Sequence, residues 1–296
     1  MSWAERPTAH VMPDGRLRLI NGPIDLVVSA QGPRDAVQAA HRRARDAFAP
    51  VLADLAAELA RLRQPLGDMP DGKVARAMAR AVRPFAPAFV TPMAAVAGAV
   101  ADHVLGAMLT EGHSLASAHV NNGGDIALWT GGPVLRVGIC EDPLHASPGA
   151  RAEIRPADGI GGVATSGWKG RSHSFGIADA VTVLARSAAE ADAAATLIAN
   201  AVDVPGHPAI KRAPADSLSP DSDLGARQVT INVGLLPLAD VRAALDRAEN
   251  VARDYAQRGL IVAACLACQG QRRMIGATAL DTATIARRPI KEPIHA

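Results

Sequence analysis

Asn121-Asn122-Gly123-Gly124-Asp125 places side-chain amides, two bare backbone positions and a carboxylate at one bend, which is equipment for holding phosphate, ribose or a metal ion. Asn-Gly between alternating apolar runs is also the strongest short-range hairpin signal, so the same residues can serve as a plain corner. A second stretch, residues 159–185, ends a glycine-rich strand in Thr165-Ser166-Gly167 and passes through a polar loop with Lys169, Arg171 and His173. It then opens a predicted helix at Ile177-Ala178-Asp179, on which Asp179 and Thr182 share one face. A carboxylate beside a hydroxyl offers the hard oxygens that Mg²⁺ accepts, with phosphates and waters completing the shell. The alternative is that Asp179 only favours a helix N-terminus while Thr182 packs.

Two other chemistries fit less well. Ser166, His173 and Asp179 lie close in sequence, but the G-x-S-x-G elbow of a serine hydrolase is absent and triad members ordinarily come from distant segments. Cys265-Leu266-Ala267-Cys268 has the C-x-x-C form, yet it sits in a strand-like apolar run with no second pair, which favours core cysteines over a redox or zinc site. With Cys140 these make three cysteines, not the even framework of a small secreted domain, and no charged-then-apolar leader opens the chain. The expected location is the cytoplasm.

The 296 residues are enough for one large or two modest domains with a sizeable core. At 49% hydrophobic and only 3% aromatic, that core is built from Ala, Val, Leu and Ile packed closely. Lys and Arg number 31 against 29 Asp and Glu, and the charges are spread along the chain, which argues against nucleic acid as a partner. The densest basic run, residues 41–45, lies in a helix-patterned segment and reads as a solvated face. The longest apolar stretch, residues 92–101, falls short of the ~20 residues that span a bilayer, so no membrane partner is expected.

The elements that must position the candidate residues follow from periodicity and turn chemistry. Pro-Asp-Gly and Asn-Gly breaks predict a three-stranded meander over residues 10–30. Apolar residues at three- and four-residue spacing predict a helix pair over 37–62 with a break at Pro50, then a short helix around 71–82. Thr91-Pro92 reads as an N-cap and first-turn proline for a helix from 93 to about 110. Strands are predicted near 117–120, 125–129, 134–140, 151–155 and 161–165, forming one antiparallel sheet, followed by helices at 177–186 and 188–202. Residues 203–226, with four prolines, read as a long loop near the site. A strand at 227–234, a helix over 238–257 and a strand pair from 260 to about 277 complete a single α+β domain with peripheral helices.

In order and spacing these stretches resemble the ApbE-like flavin transferases. The segment "VNNGGDIAL" is similar to that family's V-N-x-G-G-D-I, "GVATSG" to its A-T-S-G strand end, "SHSF" to its Ser-His segment and "ADAVT" to its A-D-A-(L)-(S/T) metal-binding helix start. The small-residue helix "MAAVAGAVADHVLGAML" precedes the first motif at about the family's distance. The likeness covers roughly residues 90–190, and with "RAPADSLSPDSDLG" and "QVTINVG" it resembles in particular an uncharacterised bacterial and archaeal branch of the superfamily. The resemblance implies the ApbE-like fold, FAD with Mg²⁺ as cofactors, and transfer of FMN from FAD to a threonine of a protein acceptor. By position it implies that Asn121, Gly123, Gly124, Asp125, Thr165, Ser166 and Gly167 line the dinucleotide site, that Asp179 and Thr182 hold Mg²⁺, and that His173 is the base.

The sequence also departs from that pattern. Only Ser174-Phe175-Gly176-Ile177 separates His173 from Ala178, where transferases carry a D-P-x-T-G loop and a longer connection. Ala101-Asp102-His103 stands where the family's glycine-rich helix carries a lysine. Three readings therefore stay open: a transferase-like enzyme acting on a flavin nucleotide, a binding protein that keeps the pocket without the chemistry, and an enzyme of another phosphorylated metabolite. A pocket of this kind can be completed by a second subunit, and a homodimer is the expected assembly.

Overall fold

A computed structural model describes residues 7–65, 67–140, 148–276 and 280–281. Its frame is a nine-stranded sheet in the order β1-β2-β3-β4-β5-β8-β9-β12-β13, every pairing in it antiparallel. The predicted meander forms its first edge as β1 (Thr8–Val11), β2 (Leu17–Asn21) and β3 (Ile24–Gln31). The hairpin of β4 (Ser117–Asn122) and β5 (Asp125–Thr130) follows, then β8 (Gly162–Ser166), β9 (Ala180–Ala185), β12 (Ala263–Cys268) and β13 (Gln271–Ile275).

One face of this sheet is covered by helices, as the alanine-rich composition requires. They are α1 (Arg34–Phe48), α2 (Val51–Ala57), α3 (Leu59–Leu62), α4 (Lys73–Val82), α5 (Val96–Met108), α6 (Ala188–Ala201) and α8 (Leu238–Gln257), around a core that includes Leu26, Phe48, Met78, Val120, Val181, Ile198 and Leu266. Among the described residues no helix is long and apolar enough to cross a membrane. Small residues bring α5 and α6 unusually close: a Cβ on Gly98 would lie 2.2 Å from the Ala188 carbonyl oxygen. The two helices also cap one another. Asp102 on α5 accepts from the Ala188 and Ala189 amides at 3.0 and 2.9 Å, and Asp192 on α6 accepts from the Gly98 amide at 3.0 Å, so each carboxylate satisfies donors that the other helix leaves open.

The other face holds the main departures from the predicted single sheet. Strands β6 (Leu135–Cys140) and β7 (Pro148–Ile154) pair with β14 (Leu280–Asp281) in a separate three-stranded sheet. Ile139, Ala152 and Ile154 of that sheet pack against Leu128, Val163, Leu184 and Cys265 of the main one. Cys265 and Cys268 are accordingly buried, as expected of core cysteines; the Cys140 side chain and residue 277 lie outside the described residues.

The helix predicted over 177–186 is the strand β9 instead. Ala-Val-Thr-Val-Leu-Ala is buried on both sides, between the helix layer and the small sheet, so no polar alternation betrays its period of two. Thr91 does not cap a helix: Pro92–Ala95 forms a 3₁₀ turn before α5, and the Thr91 hydroxyl donates to Asp223. The 203–226 stretch is not all loop, since it carries β10 (Ile210–Pro214) and the short helix α7 (Ala215–Leu218), with β10 paired to β11 (Gln228–Val233).

Strand register decides where loops gather. Leu26 pairs with Asn122, Asn122 with Asp125, Ser166 with Val181 and Ala180 with Ala267, which puts the β2–β3 turn, the β4–β5 turn, the 167–179 loop and the β12–β13 turn at the same end of the sheet.

Candidate functional site

At that end a polar cavity of about 410 Å³ opens between the 89–97 segment, α6, the 171–175 loop and residues 219–224. The loop side supplies Arg171, Ser172, His173 and Phe175, and the β4–β5 hairpin supplies Asp125. The helix side supplies Asp192, Thr196 and Asn200, spaced by four residues and so stacked on one face of α6.

Asp125, Asp192, Asp221 and Asp223 line this cavity; Asp223 accepts from the Thr91 hydroxyl and Asp221 lies 3.9 Å from the Arg63 guanidinium, which leaves Asp125 and Asp192 with little to neutralise them. Asp125 accepts one hydrogen bond from the Thr165 amide at 3.3 Å, and burial pushes its pKa up to about 7 against the pull of that amide and of Arg171. Asp192 is raised well above the ordinary carboxylate range, first by burial and then by the nearby charge of Asp125. Asp102, one step further from the cavity, is lifted to about 6 by burial. Buried like charges of this kind call for a proton or a cation between them.

The loop that carries His173 is pinned to α6. Asn200 accepts from the Phe175 amide at 2.9 Å and from the Ser174 hydroxyl at 3.2 Å, and the Ile177 amide donates to the Val202 carbonyl at 2.7 Å. The far rim is held by the Thr91–Asp223 bond and by the Arg227 guanidinium, which lies 3.6 Å over the Phe89 ring.

Residues 9–274 match the family model described as AbpE bacteria. The chain belongs to that family. Similar curated proteins include a "UPF0280 protein" of Methanothrix thermoacetophila, 48% identical over 116 residues that make up 38% of this chain and 46% of the relative. Another is the "UPF0280 protein" of Archaeoglobus fulgidus, 35% identical over 54% of this chain and 65% of its own length. The chain spans about half the length of the curated relatives it matches. Among solved structures, the ApbE protein of Thermotoga maritima aligns over 90% of this chain and 96% of its own, at 14% identity and a TM-score of 0.43. The flavinyl transferase ApbE of Pseudomonas stutzeri, in apo form, aligns over 68% and 87% at 16% identity and a TM-score of 0.35.

Within this ApbE-like chain, the sequence-predicted site residues divide. Asp125 and His173 are walls of the polar cavity; Asn121, Gly123, Gly124, Thr165, Ser166, Gly167, Asp179 and Thr182 are not. The Asn121 side chain accepts from the Gly124 amide at 2.9 Å, closing the β4–β5 turn, and Gly123 has a φ of 67°. Thr165 supports Asp125 through its amide, while Gly167 packs where a Cβ would come within 2.6 Å of the Asp179 carbonyl oxygen.

The expected pairing of Asp179 with Thr182 on a helix face is corrected by the strand. Asp179 immediately precedes β9 and is engaged by the Lys169 ammonium at 3.0 Å and the Gln269 amide at 2.6 Å. Thr182 is buried and shares a 2.8 Å hydrogen bond with the Thr165 hydroxyl. Asp179 is thus engaged by Lys169 and Gln269 and Thr182 by Thr165, and the helix face expected to join them is not formed. The carboxylate and hydroxyl that do share a helix face are Asp192 and Thr196. A signal for them is present in the sequence, where Ala-Asp-Ala occurs at 178–180 and again at 191–193, the second time inside a segment of helical spacing.

Proposed function

We propose that this chain binds FAD or a related phosphorylated ligand together with Mg²⁺ in the polar cavity, with Asp125, Asp192 and Thr196 holding the metal. The observation that carries the reading is the facing pair Asp125 and Asp192, with the Thr196 hydroxyl one turn along α6. The donor set fits the ion, since carboxylate and hydroxyl oxygens are hard ligands and Mg²⁺ ordinarily takes one or two carboxylates plus phosphate oxygens and waters. Among the described residues no group of three or more His, Cys, Asp or Glu side chains could hold a metal alone, so the reading has the ligand's phosphates complete the shell. Membership of an ApbE-like family supports a flavin nucleotide as that ligand.

When bound, Mg²⁺ neutralises phosphate charge and polarises the P–O bond that is cleaved in transfer. Asn200 holds the 173–175 loop against the cavity, and His173 is the group there that can take a proton from an attacking hydroxyl. The protein acceptor of FMN transfer belongs to the same proposal. A second reading, binding without transfer, is favoured by one observation: among the described residues no hydrogen bond orients the His173 ring.

Titration calorimetry of the purified chain with FAD, with and without Mg²⁺, tests the binding. His173→Ala separates the readings, because a transferase keeps its affinity and loses turnover, whereas a binder has no turnover to lose.

A further inference from the structure

Arg171 occupies a place that the proposed function leaves unused. Beside the polar cavity lies a second, apolar chamber of about 290 Å³, walled by Ile24, Leu52, Leu55, Met78 and Val100 among others. The two spaces share Met93, Val96, Ala97 and Arg171, so Arg171 stands at the neck between them. The other polar wall of the chamber, Asn122, spends its amide on the Ala97 carbonyl at 3.1 Å.

The guanidinium is laid on the β4–β5 turn. A Cβ on Gly123 would fall 1.8 Å from its Nη2, so the bare backbone there makes room for it. The side chain is exposed, and among the described residues no carboxylate comes within 4.0 Å of it; Asp25 and Asp125 act on it only from farther away. Asp125 and Asp192 with one divalent cation are neutral, Asp221 and Asp223 belong to the 219–224 rim of the polar cavity, and at the neck between the two spaces the planar guanidinium of Arg171 can grip phosphate oxygens in a fork.

We propose that Arg171 is the specificity-determining residue of this site, binding the phosphate of a ligand whose apolar ring lies in the chamber and whose remaining charge reaches the Asp125–Asp192 pair. This rests on the cavity being the ligand site, but not on the ligand being FAD. A phosphate monoester or diester of a ring compound fits the three surroundings in turn; the same ring compound without phosphate has nothing to offer the neck.

Wild type, Arg171→Ala and Ala56→Phe are titrated with FAD, FMN, riboflavin and inorganic pyrophosphate, each in MgCl₂, with thermal melts to show that the variants fold. Arg171→Ala is expected to lose at least about tenfold in affinity for FMN, FAD and pyrophosphate while riboflavin is unaffected. Ala56→Phe, which intrudes on the chamber from its half-buried wall, is expected to weaken FMN and riboflavin alike and to spare pyrophosphate. Undiminished binding of FMN by folded Arg171→Ala would overturn the inference while leaving the flavin reading intact. Arg171-dependent binding of pyrophosphate without any flavin binding would uphold the role of Arg171 and sink the flavin reading; binding of neither would overturn both.

Discussion

The tripeptide Ala-Asp-Ala occurs twice within about fifteen residues and meets two fates. At 178–180 it is followed by Val-Thr-Val-Leu and enters β9; at 191–193 it is followed by Ala-Ala-Thr-Leu-Ile and lies inside α6. β-branched residues in succession favour the strand, and a run of alanines favours the helix. Just before the strand, the first aspartate is tied to Lys169 and the Gln269 amide, where it anchors the start of β9 to the β12–β13 turn. In the helix the aspartate spends one oxygen on capping α5 and still faces the cavity. The local motif is the same, but of the two aspartates it is Asp192 that lines the polar cavity.

The largest expected effect separates the two copies through binding. Asp192→Asn is predicted to weaken Mg²⁺-dependent FAD binding by about a hundredfold, the scale of removing one charged interaction, while Asp179→Asn leaves it within about twofold. Calorimetry on both variants reads the difference, and equal losses would place the metal at neither aspartate in particular.

Stability should discriminate in the opposite sense. Asp179→Ala strands the Gln269 amide and removes the Lys169 ion pair, and is expected to cost about 1–3 kcal/mol, a fall of several degrees in Tm. Asp192→Asn keeps an oxygen for the Gly98 amide and removes a buried charge, so its Tm should hold or rise.

The carboxylates on the α6 side also set a pH dependence. Asp102 at about 6, Asp125 at about 7 and Asp192, raised by burial well above the ordinary carboxylate range, all lie above the unfolded value, so the folded chain holds more protons than the unfolded one once pH passes about 4. Their contribution to stability is complete below that value and is lost as pH rises through 6 and 7. Melts without metal should therefore show Tm falling across that window, and Asp125→Asn should flatten the upper part of the slope. A smaller effect is expected from the hydroxyls: Thr196→Val should weaken Mg²⁺-dependent binding by roughly threefold, and Thr182→Val not at all.

Much of this frame is legible in the sequence, because its turns are written in Gly, Pro and Asn. The meander, the β4–β5 hairpin, α8 and the β12–β13 pair lie where the pattern puts them. Buried strands are the weak point: β9 has apolar neighbours on both faces, so its residues look as helical as they look extended. The helix expected there, together with the likeness of "ADAVT" to a metal-binding helix start, is what directs the expected metal pair to Asp179 and Thr182. The glycine-rich stretches also serve the packing of the fold. Gly167 allows close strand packing, and Gly123 makes room for Arg171. Asp192 and Thr196 escape notice because α6 reads as a packing helix, its alanines facing the core on almost every side. Only the tertiary fold turns their face toward Asp125.

The most direct test is the titration of the purified chain with FAD in Mg²⁺ and in EDTA, run beside Asp192→Asn and Asp179→Asn. Binding that requires Mg²⁺, weakens about a hundredfold in Asp192→Asn and survives in Asp179→Asn is the predicted result. Absence of FAD binding in Mg²⁺, or binding that Asp192→Asn leaves undiminished, would contradict a metal and nucleotide site built on α6.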